Sequence, residues 1–99
     1  MIETITGSAG VLINPPEVLQ GIRALCDKYS ILLILDEVMA GLGRCGDMFA
    51  YQTYDGIVPD IFTCAKGLSG SYLPLSATGF RSDIHNFFKT NPLGWGTTF

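Results

Sequence analysis

Two short apolar runs punctuate the chain, and each ends on charged residues. The first, Ile31-Leu32-Leu33-Ile34-Leu35, leads directly into Asp36-Glu37-Val38. Five consecutive branched aliphatics predict a strand buried on both faces. The second, Asp60-Ile61-Phe62-Thr63-Cys64-Ala65, predicts another strand and leads into Lys66-Gly67. Upstream, Val18, Leu19, Ile22, Leu25, Cys26 and Tyr29 recur at helical spacing. Asn14-Pro15-Pro16 opens that helix, because proline is tolerated in a first turn, and Glu17 and Lys28 complement its dipole. A helix running at once into an apolar strand is half of a βαβ unit. Val11-Leu12-Ile13 reads as a brief extended stretch, residues 48–54 as one or two helical turns, and Tyr54-Asp55-Gly56 as a turn. Residues 67–74 read as a flexible loop and residues 75–80 as a further strand. Ser82-Asp83 is read as the N-cap and first-turn acid of a helix over residues 84–88, which Asn91-Pro92 ends.

Ninety-nine residues allow at most one small domain. Of these, 47% are hydrophobic and only 15% charged, and mean hydropathy is positive. A free-standing domain of this size exposes much of its surface and ordinarily carries more charge. Part of the surface is therefore expected to be covered, by further chain or by a partner subunit. The net charge is −3, and six Lys+Arg are scattered, unlike a basic nucleic-acid footprint. No apolar run approaches the roughly 20 residues of a membrane span. Met1-Ile2-Glu3-Thr4 has neither a basic n-region nor an apolar h-region, so no signal peptide is expected. Cys26, Cys45 and Cys64 are odd in number and form no C-x-x-C. They are read as buried small hydrophobes in a reducing, cytoplasmic or otherwise intracellular setting, with no metal site.

The chemistry concentrates at the ends of the two predicted strands. Open α/β sheets place ligands just beyond the carboxyl ends of their strands, and there the chain presents Asp36 and Lys66. Three readings address this. Gly41-Leu42-Gly43-Arg44-Cys45-Gly46 satisfies G-x-G-x-x-G, but five residues separate it from the strand, and the dinucleotide fingerprint requires a first βα turn. Aliphatics followed by Asp36-Glu37 mimic a Walker B strand, yet no G-x-x-x-x-G-K-[ST] occurs and Lys66 is left unexplained. The third reading uses both strand ends. Pyridoxal phosphate needs a lysine for its Schiff base and an acid for its pyridine nitrogen. Strand alternation lets Asp36 and Val38 face one side, toward the ring, and leaves Glu37 on the other for structural pairing. Arg44 is expected to pair with an acid near its loop, and His85 to be a surface histidine.

The order and spacing of Leu35-Asp36-Glu37-Val38, Gly41 to Gly46, Phe49, Pro59-Asp60-Ile61, Ala65-Lys66-Gly67 and Leu73-Pro74-Leu75 resemble the class III pyridoxal-phosphate aminotransferases across essentially the whole chain. The resemblance implies the α/β, aspartate-aminotransferase-like (fold type I) large domain, of which residues 1–99 would be the central part. Its sheet would be mostly parallel, with flanking helices and one antiparallel strand near residues 75–80. It implies that Lys66 is the catalytic, cofactor-linked lysine, that Asp36 pairs with the ring nitrogen, and that Val38 lies on the ring face. Glu3 resembles a glutamate placed near the cofactor, although the usual following proline is Thr4 here. Thr98, in Gly96-Thr97-Thr98-Phe99, resembles the threonine that binds the cofactor phosphate of the neighbouring subunit, implying a homodimer or higher assembly. Members are several times longer. Their N-terminal phosphate loop and C-terminal domain have no counterpart here, so this chain alone is expected to be inactive. Ser8 stands where members acting on 4-aminobutyrate or ornithine carry a glutamate. This leans toward amino transfer from ω-amino compounds to pyruvate or a similar 2-oxo acid.

Overall fold

The computed structural model describes residues 1–91. β1 (Ile2–Glu3), β4 (Ile34–Asp36), β5 (Ile61–Cys64) and β6 (Ala77–Phe80) lie side by side in the order β1-β4-β5-β6. β1, β4 and β5 are parallel, and β6 runs antiparallel to β5. The expected sheet is therefore present, with its antiparallel strand starting two residues later than the pattern indicates. β2 (Ile5–Thr6) pairs antiparallel with β3 (Leu12–Ile13) in a separate hairpin. The reading of the sequence contains neither β1 nor β2, because a two-residue strand carries no periodicity.

The helix α1 (Pro16–Lys28) has Pro16 in its first turn and Lys28 in its last. Leu19 is buried, and Ile22 and Cys26 pack with it against Leu33, Leu35, Tyr54 and Ile57. The predicted stripe is narrower than expected: Val18, Leu25 and Tyr29 are exposed. One row at i, i+3, i+7 meets the sheet, and the flanking apolar residues do not. Beyond Tyr29, Ser30 takes a left-handed conformation (φ 54°), and the Ile31 N–H donates to the Cys26 carbonyl at 2.8 Å.

The apolar run after α1 is only partly strand. Ile31 and Leu32 are exposed, and ladder pairing begins at Ile34. The neighbouring chain explains this. Pro59 precedes β5 and has no N–H to extend the ladder, and the Asp60 side chain takes over. Leu33 N–H donates to Asp60 Oδ2 at 2.6 Å, and Asp60 N–H donates to the Leu33 carbonyl at 3.0 Å. Asp60, 2% exposed, also receives Arg23 from α1 at 2.8 Å and Arg81 at 2.6 Å. Burial opposes the Asp60 charge, but the Leu33 N–H, Arg23 and Arg81 outweigh it and hold the carboxyl below the usual range. Burial likewise opposes the Arg23 charge, and Asp60 and Asp27 more than offset it. This cluster ties α1, β4, β5 and the end of β6 together at the amino end of β5.

The final described helix, α2 (Ser82–Thr90), starts at Ser82 with Arg81 as its N-cap, not at the expected Ser82-Asp83 cap. Asp83 is instead engaged by the Arg81 guanidinium, at 3.1 and 2.9 Å, and that pairing lowers its pKa. His85 is exposed, as expected, beside the ring of Phe80. Single 3-10 turns cover Ala50–Thr53, inside the predicted helical turns, and Lys66–Leu68, inside the predicted loop.

The sheet has two unequal faces. Leu33, Leu35 and Glu37 are buried on the α1 side, while Ile34, Asp36 and Val38 alternate with them and are half-buried. The expected burial on both faces is thus a one-sided burial among the described residues, because one layer of helix lies against the sheet.

Candidate active site

The parallel register assembles a polar row at the carboxyl end of the sheet. Glu3 lies opposite Asp36, Asp36 opposite Thr63, and Thr63 opposite Thr78. Residues opposite one another on adjacent strands project to the same face, about 4.8 Å apart. Asp36 Oδ1 accepts the Val38 N–H at 2.9 Å, which closes the strand end and orients the carboxylate. Glu3 Oε2 accepts the Gly7 N–H at 3.0 Å.

Glu37 turns the other way and is 0% exposed. Its Oε1 accepts from the Thr4 hydroxyl at 2.6 Å and the Tyr51 N–H at 2.9 Å, and its Oε2 accepts the Ala50 N–H at 2.8 Å. One carboxylate thereby pins both ends of the glycine-rich loop 38–49, since Glu37 begins that loop and Ala50 follows it. The structural role read for Glu37 is borne out, with backbone and hydroxyl donors in place of a cation. Thr4 supplies the side-chain hydroxyl of this set. Gly41 is required here, because a Cβ would meet the Glu37 carbonyl oxygen at 2.7 Å. Burial, then the Glu37 charge, raises the Tyr51 phenol pKa, and burial with Cys45 and Glu37 does the same for Tyr54.

Three residues beyond Thr63, Lys66 opens the second 3-10 turn with φ 36°, a left-handed conformation unusual for a side chain other than glycine. Such strain persists where surrounding structure enforces it, often at functional sites. Lys66 lines a cavity of about 590 Å³ with Met39, Leu42, Arg44 and neighbouring glycines, within the usual range for small-molecule sites. Asp36, Val38 and Glu3 do not line it. The expected common crevice is thus realised as two neighbouring parts: the polar row at the strand ends, and the Lys66 cavity under the glycine-rich loop. Thr98 lies outside the described residues.

The Aminotransferase class-III family model matches residues 1–99. The chain belongs to the class-III aminotransferases. It is 43% identical over 99 residues to a putrescine aminotransferase of Pectobacterium atrosepticum, covering all of this chain and 21% of that protein. It superposes with a TM-score of 0.91 at 47% identity on taurine:2-oxoglutarate aminotransferase from Bifidobacterium kashiwanohense, a structure in complex with PLP and glutamate, covering 98% of this chain and 22% of that one. An (S)-enantioselective omega-transaminase from Thermomicrobium roseum gives 0.90 at 39% identity, covering 99% and 22%. The chain spans about a fifth of the length of these relatives.

In this class-III segment, the G-x-G-x-x-G stretch is a series of turns that opens no helix at Gly46, as its distance from the strand implied. Arg44 corrects an expectation: it is exposed and forms no ion pair among the described residues. Its loop is held by the buried Glu37, whose oxygens are already filled by nearer donors. Of the three free cysteines only Cys64 is buried; Cys26 is half-buried against the core, and Cys45 is half-buried in the glycine-rich loop. Ser8 is exposed on the turn of the β2–β3 hairpin. Thr4 and Thr63 take roles that their sequence context does not announce. Nothing in their local pattern marks them, because each matters through its partner on another strand.

Proposed function

We propose that the protein carrying these residues transfers an amino group from an amino acid or ω-amino compound to a 2-oxo acid such as pyruvate, using pyridoxal phosphate. The observation that carries this reading is the placement of Asp36 and Lys66 at the carboxyl ends of adjacent parallel strands in a chain of this family. The residues present fit the cofactor. An acid stands at one strand end, an amine lines a cavity beside the other, and Thr63 Oγ1 between them is buried with no hydrogen-bond partner. The proposal places residues 1–99 in the central part of the large domain of a homodimer or higher oligomer.

When bound, pyridoxal phosphate supplies an electron-withdrawing ring that takes up charge as the substrate's α proton leaves. Asp36 would pair with the protonated ring nitrogen, and the Val38 N–H bond to its Oδ1 would fix the direction of that contact. Val38 would lie against the ring face. Glu3 stands beside Asp36 on the neighbouring strand and orders the polar row. Lys66 Nζ would hold the cofactor through its aldehyde carbon. Lys66 Nζ would also be the group that takes up and returns the proton at the substrate's amine-bearing carbon. Thr98 would hold the phosphate of the neighbouring subunit. The putrescine and taurine aminotransferases among the relatives support a donor whose amine is at the end of its chain.

The test is borohydride reduction of the full-length protein loaded with cofactor, followed by peptide mapping. The label is expected on Lys66, with Lys66→Ala losing both label and turnover of putrescine or taurine with pyruvate or 2-oxoglutarate. Label on Lys28 or Lys89 instead would reject the assignment.

A further inference from the structure

A buried hydroxyl without a partner forfeits its hydration, at a penalty of about 1–3 kcal/mol, so each such group asks for a reason. Thr63 Oγ1 is one. The backbone around it is occupied: Thr63 pairs with Asp36 on one side and Thr78 on the other, and its carbonyl accepts the Glu37 N–H at 2.8 Å. Its neighbours on the same face are the two side chains opposite it in register. Thr78 is exposed and bears a hydroxyl that water can satisfy. Asp36, when ionised, can only accept. Among the described residues, the one hydrogen bond to the Asp36 carboxylate ends on Oδ1, from Val38.

We infer that Thr63 is a positioning residue for Asp36, its hydroxyl donating to the Asp36 carboxylate when that carboxylate engages a protonated ring nitrogen. This rests on the role proposed above for Asp36. A carboxylate fixed by Val38 N–H alone can pivot about that one bond. A second donor from the adjacent strand sets the carboxylate plane beside the ring. β5 then serves the site twice, through Thr63 on its polar face and through Lys66 three residues later.

The experiment is a double-mutant cycle in the full-length protein, reading the cofactor dissociation constant by absorbance titration alongside kcat and KM. Thr63→Val retains the β-branched shape and removes the donor. It is expected to weaken cofactor binding and lower kcat by about tenfold or more, the weight of a hydrogen bond to a charged group. KM for the amine should barely move. Thr63→Ser, which restores a hydroxyl, should recover most of both losses. In an Asp36→Ala background, Thr63→Val should change the dissociation constant by no more than about twofold, because the acceptor is gone. Wild-type values in Thr63→Val would overturn the inference, as would an equal loss with and without Asp36, or a failure of Thr63→Ser to recover. Borohydride labelling of Lys66 in every variant separates this from the parent reading. An unlabelled Lys66 in wild type would sink that reading, and this inference with it. A labelled Lys66 with no coupling between Thr63 and Asp36 would sink the inference alone.

Discussion

Asp36 and Lys66 are handled differently by the chain that holds them. Asp36 ends a regular strand and is braced by its own backbone two residues on, at 2.9 Å. Lys66 sits in a left-handed conformation at the start of a 3-10 turn, where the Leu68 N–H donates to the Ala65 carbonyl at 2.9 Å. Non-glycine residues in such conformations carry roughly 1–3 kcal/mol of strain. The acid is thus built for constancy of direction and the amine for presentation out of the sheet. Asp36→Asn separates charge from shape. Cofactor binding should partly survive, while kcat falls by about two to three orders of magnitude, since preorganised electrostatic contacts are worth about 2.7–4 kcal/mol. Near-normal turnover of the full-length variant would assign the acid another task.

Between elements, two buried carboxylates fasten opposite ends of the sheet. Glu37 closes the glycine-rich loop at the carboxyl end through Thr4, Ala50 and Tyr51. Asp60 fastens the amino end through Leu33, Arg23 and Arg81. Because the folded-state pKa of Asp60 is lowered, its stabilisation is fully present above the ordinary aspartate value of about 3.9. It is lost as pH falls through that value toward the lower folded one. Asp60→Asn should therefore lower stability at neutral pH by about 3 kcal/mol, by leaving two guanidinium groups without their buried partner. It should also make the acid limb of the stability curve shallower. Denaturation midpoints of the full-length wild type and variant from roughly pH 2 to 6 check both. An unchanged acid limb would remove Asp60 from the account. The β5–β6 pair has a steric requirement of its own. Gly79 lies under the Phe62 ring, which a Cβ would overlap, so β6 approaches β5 only with glycine there.

At the scale of the whole molecule, many large apolar side chains stand in the open among the described residues, including Leu73 and Tyr72 after Lys66 and Phe87 on α2. Ordering a chain costs roughly 1–2 kcal/mol per residue, and a sheet covered on one face recovers less of that than one covered on both. The 99 residues on their own should associate in solution, bind pyridoxal phosphate weakly and without fixed stoichiometry, and show no amino transfer. Gel filtration, cofactor titration and assay with ω-amino donors and pyruvate measure these. Turnover by the isolated chain that Lys66→Ala abolishes would show that the described elements suffice.

The sequence by itself determined the α/β class, the helix that opens at Pro16, the family, and the candidates Asp36, Val38, Glu37 and Lys66, and the antiparallel last strand came with the family resemblance. Those features are written in local periodicity, in proline placement, and in motifs whose spacing survives without knowledge of the fold. Only the tertiary structure decided that Glu3, Asp36, Thr63 and Thr78 share one row, that Thr4 donates to Glu37, and that Arg44 stays free of an ion pair among the described residues. It also decided that ladder pairing of the apolar run begins only at Ile34, because Asp60 and Pro59 interrupt it upstream. The shared row depends on strand register, and register is set by contacts between segments distant in sequence, where a shift of one residue exchanges the faces of a strand.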